Sequence, residues 1–273
     1  MTLRVRAALI AMLALPAAAH AQTPAQIDWH PDAARVCLLD PGDPPETAAQ
    51  RTARALLDAL PPDLPLRDLL AAPGIALCID DRPSEARGAF IPEAGLVTLS
   101  AGLSRPAMLA ILLHELRHID QIARGFCPGL DLAMRDYAQA TMVMEADAQA
   151  IATLLAWRLR EGGAPDAWSA LETMPETADI ARAFAAAIGD GADIAGATAA
   201  AFDQWFGSAN RIDAYYLSSC SAYLDALDAG HLLPSYGALS ADRLTGLCVL
   251  PDGRPYPCTG PQPAVTTDGP RAP

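Results

Sequence analysis

The chain has 273 residues, of which 52% are hydrophobic and 19% are charged, and its formal net charge is −13 at pH 7. A chain of this length suits one domain, or one domain with an appended subdomain, and is long enough to bury a hydrophobic core. A surface this acidic argues against nucleic acid and anionic membranes as partners, because both are negatively charged themselves.

Residues 1–21 have the pattern of a secretory signal peptide. Arg4 and Arg6 form a basic segment, residues 7–15 form an apolar run too short to cross a bilayer, and Ala21 supplies a small residue for cleavage. We expect a mature protein that begins after Ala21, has no membrane span and is periplasmic or secreted. Without the two arginines, 17 of the 19 basic side chains remain against 32 acidic ones, so the net charge of the mature chain is −15.

All six cysteines lie after this segment, and an even number of cysteines in an exported protein favours disulfide bonds over thiolate metal ligands. Most pairings cannot be chosen from the sequence. The exception is Cys248 with Cys258, because the prolines and the glycine at 251–255 predict a turn between them. The other cysteines are Cys37, Cys78, Cys127 and Cys220.

Several elements are predicted ahead of the most informative motif. A helix is expected over residues 45–60, ended by two prolines, and a further helical turn over 67–72. Residues 75–79 form a short apolar strand, and residues 88–91 and 96–99 read as the two strands of a hairpin.

The motif H-E-x-x-H is formed by His114, Glu115 and His118 within a run of helical periodicity. Histidines four residues apart lie one turn above each other on a helix, so both imidazoles can bind one metal ion. Glu115, about 100° around the axis, can then reach a water bound to that ion. The alternative is a solvated helix face on which Glu115 pairs with a neighbour such as Arg117. The other faces of the helix are apolar, so at least one polar residue of the motif is expected to be buried. A buried charge without a partner is costly, which favours the metal site.

A zinc hydrolase needs a third protein ligand and one open position. The motif helix is predicted over residues 104–125 and a second long helix over 131–161, with Glu145 near its midpoint. Small residues on the same face as Glu145 would let the two helices approach closely. Glu145 is therefore the candidate ligand, against the alternative of an ordinary surface acid. Asp147 is a rival, but it points about 200° away from Glu145. The small residues are Ala138, Thr141, Ala148 and Ala152.

Two glutamines lie near these candidates. Gln149, one turn beyond Glu145, is placed to hydrogen-bond a ligating imidazole. Gln121 is on the same helix face as the histidines and is expected to line the cleft.

The order of these elements resembles the gluzincin group of zinc metallopeptidases: a hairpin, a short connection, an H-E-x-x-H helix and a second helix with E-x-x-A. Residues 88–100 leading into the motif are similar to bacterial metallopeptidase domains of unknown function, and the resemblance covers roughly residues 75–160. The chain departs from the pattern at Gln149, where many relatives carry Asp or Asn.

The resemblance implies a zinc cofactor with His114, His118 and Glu145 as ligands and Glu115 as the general base. It also implies that Leu96–Ser100 is an edge strand along which an extended peptide or protein substrate pairs.

The oxyanion formed during hydrolysis needs a further donor. Arg211, Tyr215 and Tyr216, in a helix predicted over residues 210–229, and His231 are candidates because a hydroxyl or a cation can stabilise negative charge. Tyr215 is the candidate that we name beside Glu115 as catalytic, while the choice among the four stays open; such residues more often pack or lie at the surface.

Other helices are predicted over residues 175–188, 194–206 and 240–247. Four aromatic residues at helical spacing in this region are expected to be core; they are Phe184, Phe202, Trp205 and Phe206.

The predicted fold class is mainly α with a small β-sheet (α+β), a minimal zincin-like core with two metal-bearing helices and extra C-terminal helices. One domain is expected over residues 22–258, with an extended lead-in over 23–45, the core over about 75–160 and a helical part over 165–247. Residues 259–273 are expected to be a disordered tail.

Three functions fit the sequence: an exported zinc metallopeptidase, a catalytically inactive zinc-binding structural or regulatory protein of the same fold, and a disulfide-stapled helical binding module. Glu115 favours the first, since a pure binding site needs no base. Peptidase and amidase activity use the same activated water, and nothing in the sequence indicates an oligomeric state.

Overall fold

A computed structural model describes residues 35–38, 44–81, 87–240 and 246–258. Seven α-helices and one four-stranded sheet occur in these residues, which confirms the predicted α+β class. The predicted signal peptide, the predicted tail over 259–273 and most of the helix predicted over 240–247 lie outside the described residues. None of the described helices has the length and apolar composition that crossing a membrane requires.

The sheet has the strand order β1-β2-β4-β3, with β1 at Arg35–Leu38, β2 at Ala76–Asp80, β3 at Gly88–Ile91 and β4 at Leu96–Ser100. The hairpin of β3 and β4 is confirmed, and β2 pairs with β4 in parallel. β1 pairs antiparallel with β2, although its residues were expected only as part of an extended lead-in.

The expectation that Leu96–Ser100 forms an edge strand is wrong. β4 pairs with β2 on one side and with β3 on the other, so its backbone groups are used on both sides. On the hairpin side, the edge strand of the sheet is β3 instead. Gly88 in β3 permits close packing on the motif helix, because a Cβ atom there would lie 2.5 Å from Cγ2 of Ile111.

The helices largely follow the predicted periodicity. The motif helix begins after Ser104, whose hydroxyl accepts a hydrogen bond from the N–H of Ala107, as the predicted cap requires. The helix α4 was not predicted. The helices are α1 (Ala48–Asp58), α2 (Arg105–Ala123), α3 (Met134–Glu161), α4 (Asp166–Thr173), α5 (Ala178–Gly189), α6 (Ile194–Trp205) and α7 (Ala209–Ala229), with a short 3₁₀ helix at Arg67–Ala71.

The core is built around α2, which packs against β3 and β4 of the sheet and against α3, and it continues into α4, α5 and α6. Ala138, Ala148 and Ala152, three of the four small residues predicted to face α2, are fully buried. The predicted core aromatics Phe184, Phe202 and Trp205 are also buried, whereas Phe206 packs at the margin.

Two disulfide bonds are present among the described residues. Cys248–Cys258 confirms the predicted pair and closes the segment 246–258, here called the C-terminal strap. Cys37–Cys78 joins the paired strands β1 and β2. Disulfide bonds are typical of an oxidising, extracellular-type environment.

A buried ion pair connects α2, α3 and the strap. Arg117 donates from Nε and Nη2 to the two carboxylate oxygens of Asp147 at 2.7 and 2.9 Å, and the two side chains are 1% and 0% exposed. The same Nη2 donates to the carbonyls of Leu247 and Val249. Tyr256 donates its hydroxyl hydrogen to Asp147 at 2.6 Å. Burial alone would lower the pKa of Arg117, but Asp147 outweighs that effect and raises it, so the guanidinium stays charged.

We expect the change Arg117→Met to lower the free energy of unfolding by about 3–5 kcal/mol, because it leaves the Asp147 carboxylate buried without its cation. Urea denaturation followed by circular dichroism measures the change. The matched control is Arg254→Met, since Arg254 and Asp252 form an exposed ion pair that adds little stability. An equal loss in the two variants would contradict the assigned role of the buried pair.

Candidate metal centre

Helices α2 and α3 bring three potential ligands together. The Nε2 atoms of His114 and His118, one turn apart on α2, face each other at 2.9 Å. Glu145, from α3, places one carboxylate oxygen 3.3 Å from Nε2 of His114 and the other 3.4 Å from Nε2 of His118. These donor atoms all lie within 4.8 Å of one another.

The three residues fit a divalent metal ion. A tetrahedral ion with bonds of about 2.0–2.1 Å keeps its ligand atoms roughly 3.3 Å apart, close to the separations between the carboxylate and the two imidazoles. The Nδ1 atom of His114 is buried with no hydrogen-bond partner in the described part of the chain, while its Nε2 faces the Glu145 carboxylate. Two imidazoles and one carboxylate suit zinc and other first-row divalent metals.

The carboxylate and the imidazoles shift one another's proton affinities. Burial alone would lower the pKa of His118, but the charge of Glu145 and the hydrogen bond to it raise that pKa to about 9. Burial alone would raise the pKa of Glu145, but the two histidines lower it well below its usual range. His118 and Glu145 therefore stabilise each other's charged forms.

Glu115 lies between the histidines and strand β3. It is 4% exposed, and burial raises the pKa of its carboxyl, although the charges of His114 and His118 act in the opposite direction. The backbone N–H of Phe90 donates a hydrogen bond to the carboxylate. The edge strand β3 is thus one hydrogen bond away from this glutamate.

A cleft of about 500 Å³ opens over these four residues. Residues 87–90, at the start of β3, form one wall, and Leu171 and Met174, from α4 and the residue that follows it, form an apolar part of another. Tyr215 of α7 also lines the cleft. The cleft is therefore open to a ligand that has both polar and apolar groups.

The four candidate oxyanion donors differ in position. Tyr215 lines the cleft beside Glu145, whose charge, together with burial, raises the pKa of the phenol. Arg211 does not line the cleft and donates to the carbonyl of Trp205 and to the carboxylate of Asp179. Tyr216 and His231 lie on the surface away from the cleft.

A family model described as "Putative metallopeptidase family (DUF6782)" matches residues 25–258. The chain belongs to this family. No curated protein and no solved structure matches the chain. The resemblance to metallopeptidase domains of unknown function is thereby confirmed, and the matched region of this DUF6782 member includes the H-E-x-x-H helix, Glu145 and Tyr215.

The glutamine that hydrogen-bonds a candidate ligand histidine in this DUF6782 protein is not the predicted Gln149. Gln149 lines the cleft, but its amide nitrogen donates to the hydroxyl of Thr153 rather than to a histidine. Gln121 holds His118 instead, with Oε1 at 2.8 Å from Nδ1, and it is fully buried rather than lining the cleft as predicted. The signal in the sequence was the spacing of three residues between His118 and Gln121, which places the two side chains side by side on one helix.

Asp147, the rival ligand, faces away from the two histidines. Its carboxylate is occupied by Arg117, Gln121 and Tyr256. Glu145 is the carboxylate that α3 presents to the histidines, as the angular separation of the two acids on one helix predicted.

Proposed function

We propose that the protein is an exported zinc metallopeptidase that hydrolyses peptide bonds. The observation that carries the proposal is the convergence of His114, His118 and Glu145 on one point, with Glu115 buried beside them in an open cleft. The family description and the disulfide bonds support it.

In the proposed site, His114, His118 and Glu145 would hold the zinc ion through their imidazoles and carboxylate. Catalytic zinc sites commonly have three protein ligands, which is the number that these residues would supply. When bound, such an ion lowers the pKa of a water molecule and polarises a carbonyl group.

Glu115 is the general base of this proposal. Its carboxylate takes the proton of the attacking water and passes it to the leaving amine. The hydrogen bond from the N–H of Phe90 holds the carboxylate in place, and burial favours its protonated form, so it can store a proton between the two steps.

Strand β3 is the proposed docking edge for an extended substrate. Ser100 donates its N–H to the carbonyl of Arg87, so by alternation the backbone groups of residues 87, 89 and 91 face β4. Those of Gly88 and Phe90 face the opposite side, toward the cleft; because the N–H of Phe90 donates to Glu115, a substrate would pair with Gly88 and with the carbonyl of Phe90. A peptide that pairs along this edge passes directly beside Glu115.

We expect Glu115→Gln to retain zinc and to lower peptide hydrolysis by at least about 100-fold, because the amide cannot accept the proton. Zinc content is measured by atomic absorption, and hydrolysis by mass spectrometry of a peptide library. His118→Asn should lose both zinc and hydrolysis.

The controls are Glu172→Gln and His231→Asn, the same changes at exposed positions outside the cleft. Unchanged hydrolysis in Glu115→Gln would remove Glu115 as the base. Wild-type protein that binds zinc and cleaves nothing in the library would instead favour the zinc-binding structural or regulatory protein.

Tyr215 is the proposed donor to the oxyanion. Its hydroxyl hydrogen-bonds Glu145 and lines the cleft wall, so it lies beside the candidate metal ligands. We expect Tyr215→Phe to lower kcat by about 100-fold while zinc stays bound. Tyr216→Phe, at the next and exposed position, is the matched control. Equal kcat values for the two variants would argue against this role.

Export is proposed from the signal-peptide pattern of residues 1–21 and from the disulfide bonds. We expect the protein recovered from the periplasm or the medium to begin near Gln22. N-terminal sequencing measures this, and an intact Met1 on protein retained in the cytoplasm would contradict export.

A further inference from the structure

A chain of buried hydrogen bonds leads from the candidate ligand His118 to the ion pair in the core. Oε1 of Gln121 lies 2.8 Å from Nδ1 of His118. The amide nitrogen of Gln121 donates to the carbonyl of Met144 at 2.9 Å and to the carboxylate of Asp147 at 2.7 Å. Gln121 and Asp147 are both 0% exposed, so water does not compete for these bonds.

The partners of Gln121 fix the orientation of its amide group. A carbonyl oxygen and a carboxylate oxygen can only accept, so the NH₂ group must face Met144 and Asp147. The amide oxygen then faces His118, and because an oxygen accepts, Nδ1 of His118 must carry a hydrogen. The lone pair of a neutral His118 ring is therefore on Nε2, which faces Glu145.

Asp147 cannot turn to release Gln121. Its two oxygens together accept four hydrogen bonds, two from Arg117, one from Tyr256 and one from Gln121. The acceptor that orients the glutamine is thus held by side chains from α2 and from the C-terminal strap.

We propose that Gln121, held by Asp147, is a positioning residue that fixes His118 in the tautomer whose Nε2 can bind the metal. The inference rests on the proposed metal function. It also distinguishes the two histidines, because Nδ1 of His114 has no hydrogen-bond partner in the described residues. Of the two, His118 is the imidazole oriented before a metal arrives.

A purely structural role for Gln121 would be to tie α2 to α3 by donating to Met144 and Asp147. Two substitutions separate the roles. Gln121→Met removes both the donor and the acceptor. Gln121→Glu keeps an oxygen that can accept from Nδ1 of His118 but removes the amide hydrogens that are donated to Met144 and Asp147.

The experiment measures zinc affinity of the full mature chain by competition with a chromophoric chelator, with thermal unfolding as a check on folding. Gln121→Met should weaken zinc binding by about 10–100-fold, as expected for loss of a hydrogen bond to a ligating histidine, and Gln121→Glu by less than about 10-fold. Gln149→Met is the matched control, since Gln149 is near the site but bonds no imidazole. Its zinc affinity should equal that of the wild type.

Nitrogen-15 NMR of the zinc-loaded wild type, labelled at histidine, should show the hydrogen of His118 on Nδ1. A hydrogen on Nε2 overturns the proposal even if Gln121→Met fails to fold. Undiminished affinity in Gln121→Met, or an equal loss in Gln121→Glu, also overturns it. Wild-type protein that binds no zinc removes the proposed function itself, before any variant is compared.

Discussion

The buried ion pair between Arg117 and Asp147 determines how α2 and α3 are aligned. Two charges taken out of water are tolerated only when their hydrogen bonds are complete, and both oxygens of Asp147 meet donors here. Sliding one helix along the other would break these bonds. The alignment that satisfies the pair also puts Glu145, two residues before Asp147, opposite the histidines.

The parts of the site that follow from local geometry could be predicted from the sequence. The two histidines lie on one helix, and their spacing fixes their relation without any knowledge of the fold. Glu145 required one further step, from the small residues that let α3 approach α2. The turn residues between Cys248 and Cys258 were likewise a local signal for that disulfide bond.

The parts that depend on distant contacts could not be predicted. The edge position of β4 was an implication of the family resemblance, and sequence order does not reveal that β2 pairs with β4 across the intervening strand β3. Gln149 was predicted as the partner of a ligand histidine in place of Gln121, because the sequence does not show that Asp147 holds Gln121. That role depends on Arg117, whose charge is satisfied by carbonyls more than 120 residues away.

The strap that completes the ion pair is the last described part of the chain. During synthesis, α2 and α3 emerge well before Leu247 and Val249, whose carbonyls Arg117 needs when it is withdrawn from water. A growing polypeptide therefore cannot complete the hydrogen bonds of this buried charge until the strap has been synthesised. The Cys248–Cys258 bond that closes the strap forms only in oxidising surroundings. The fold can therefore be completed only in a compartment that supplies them.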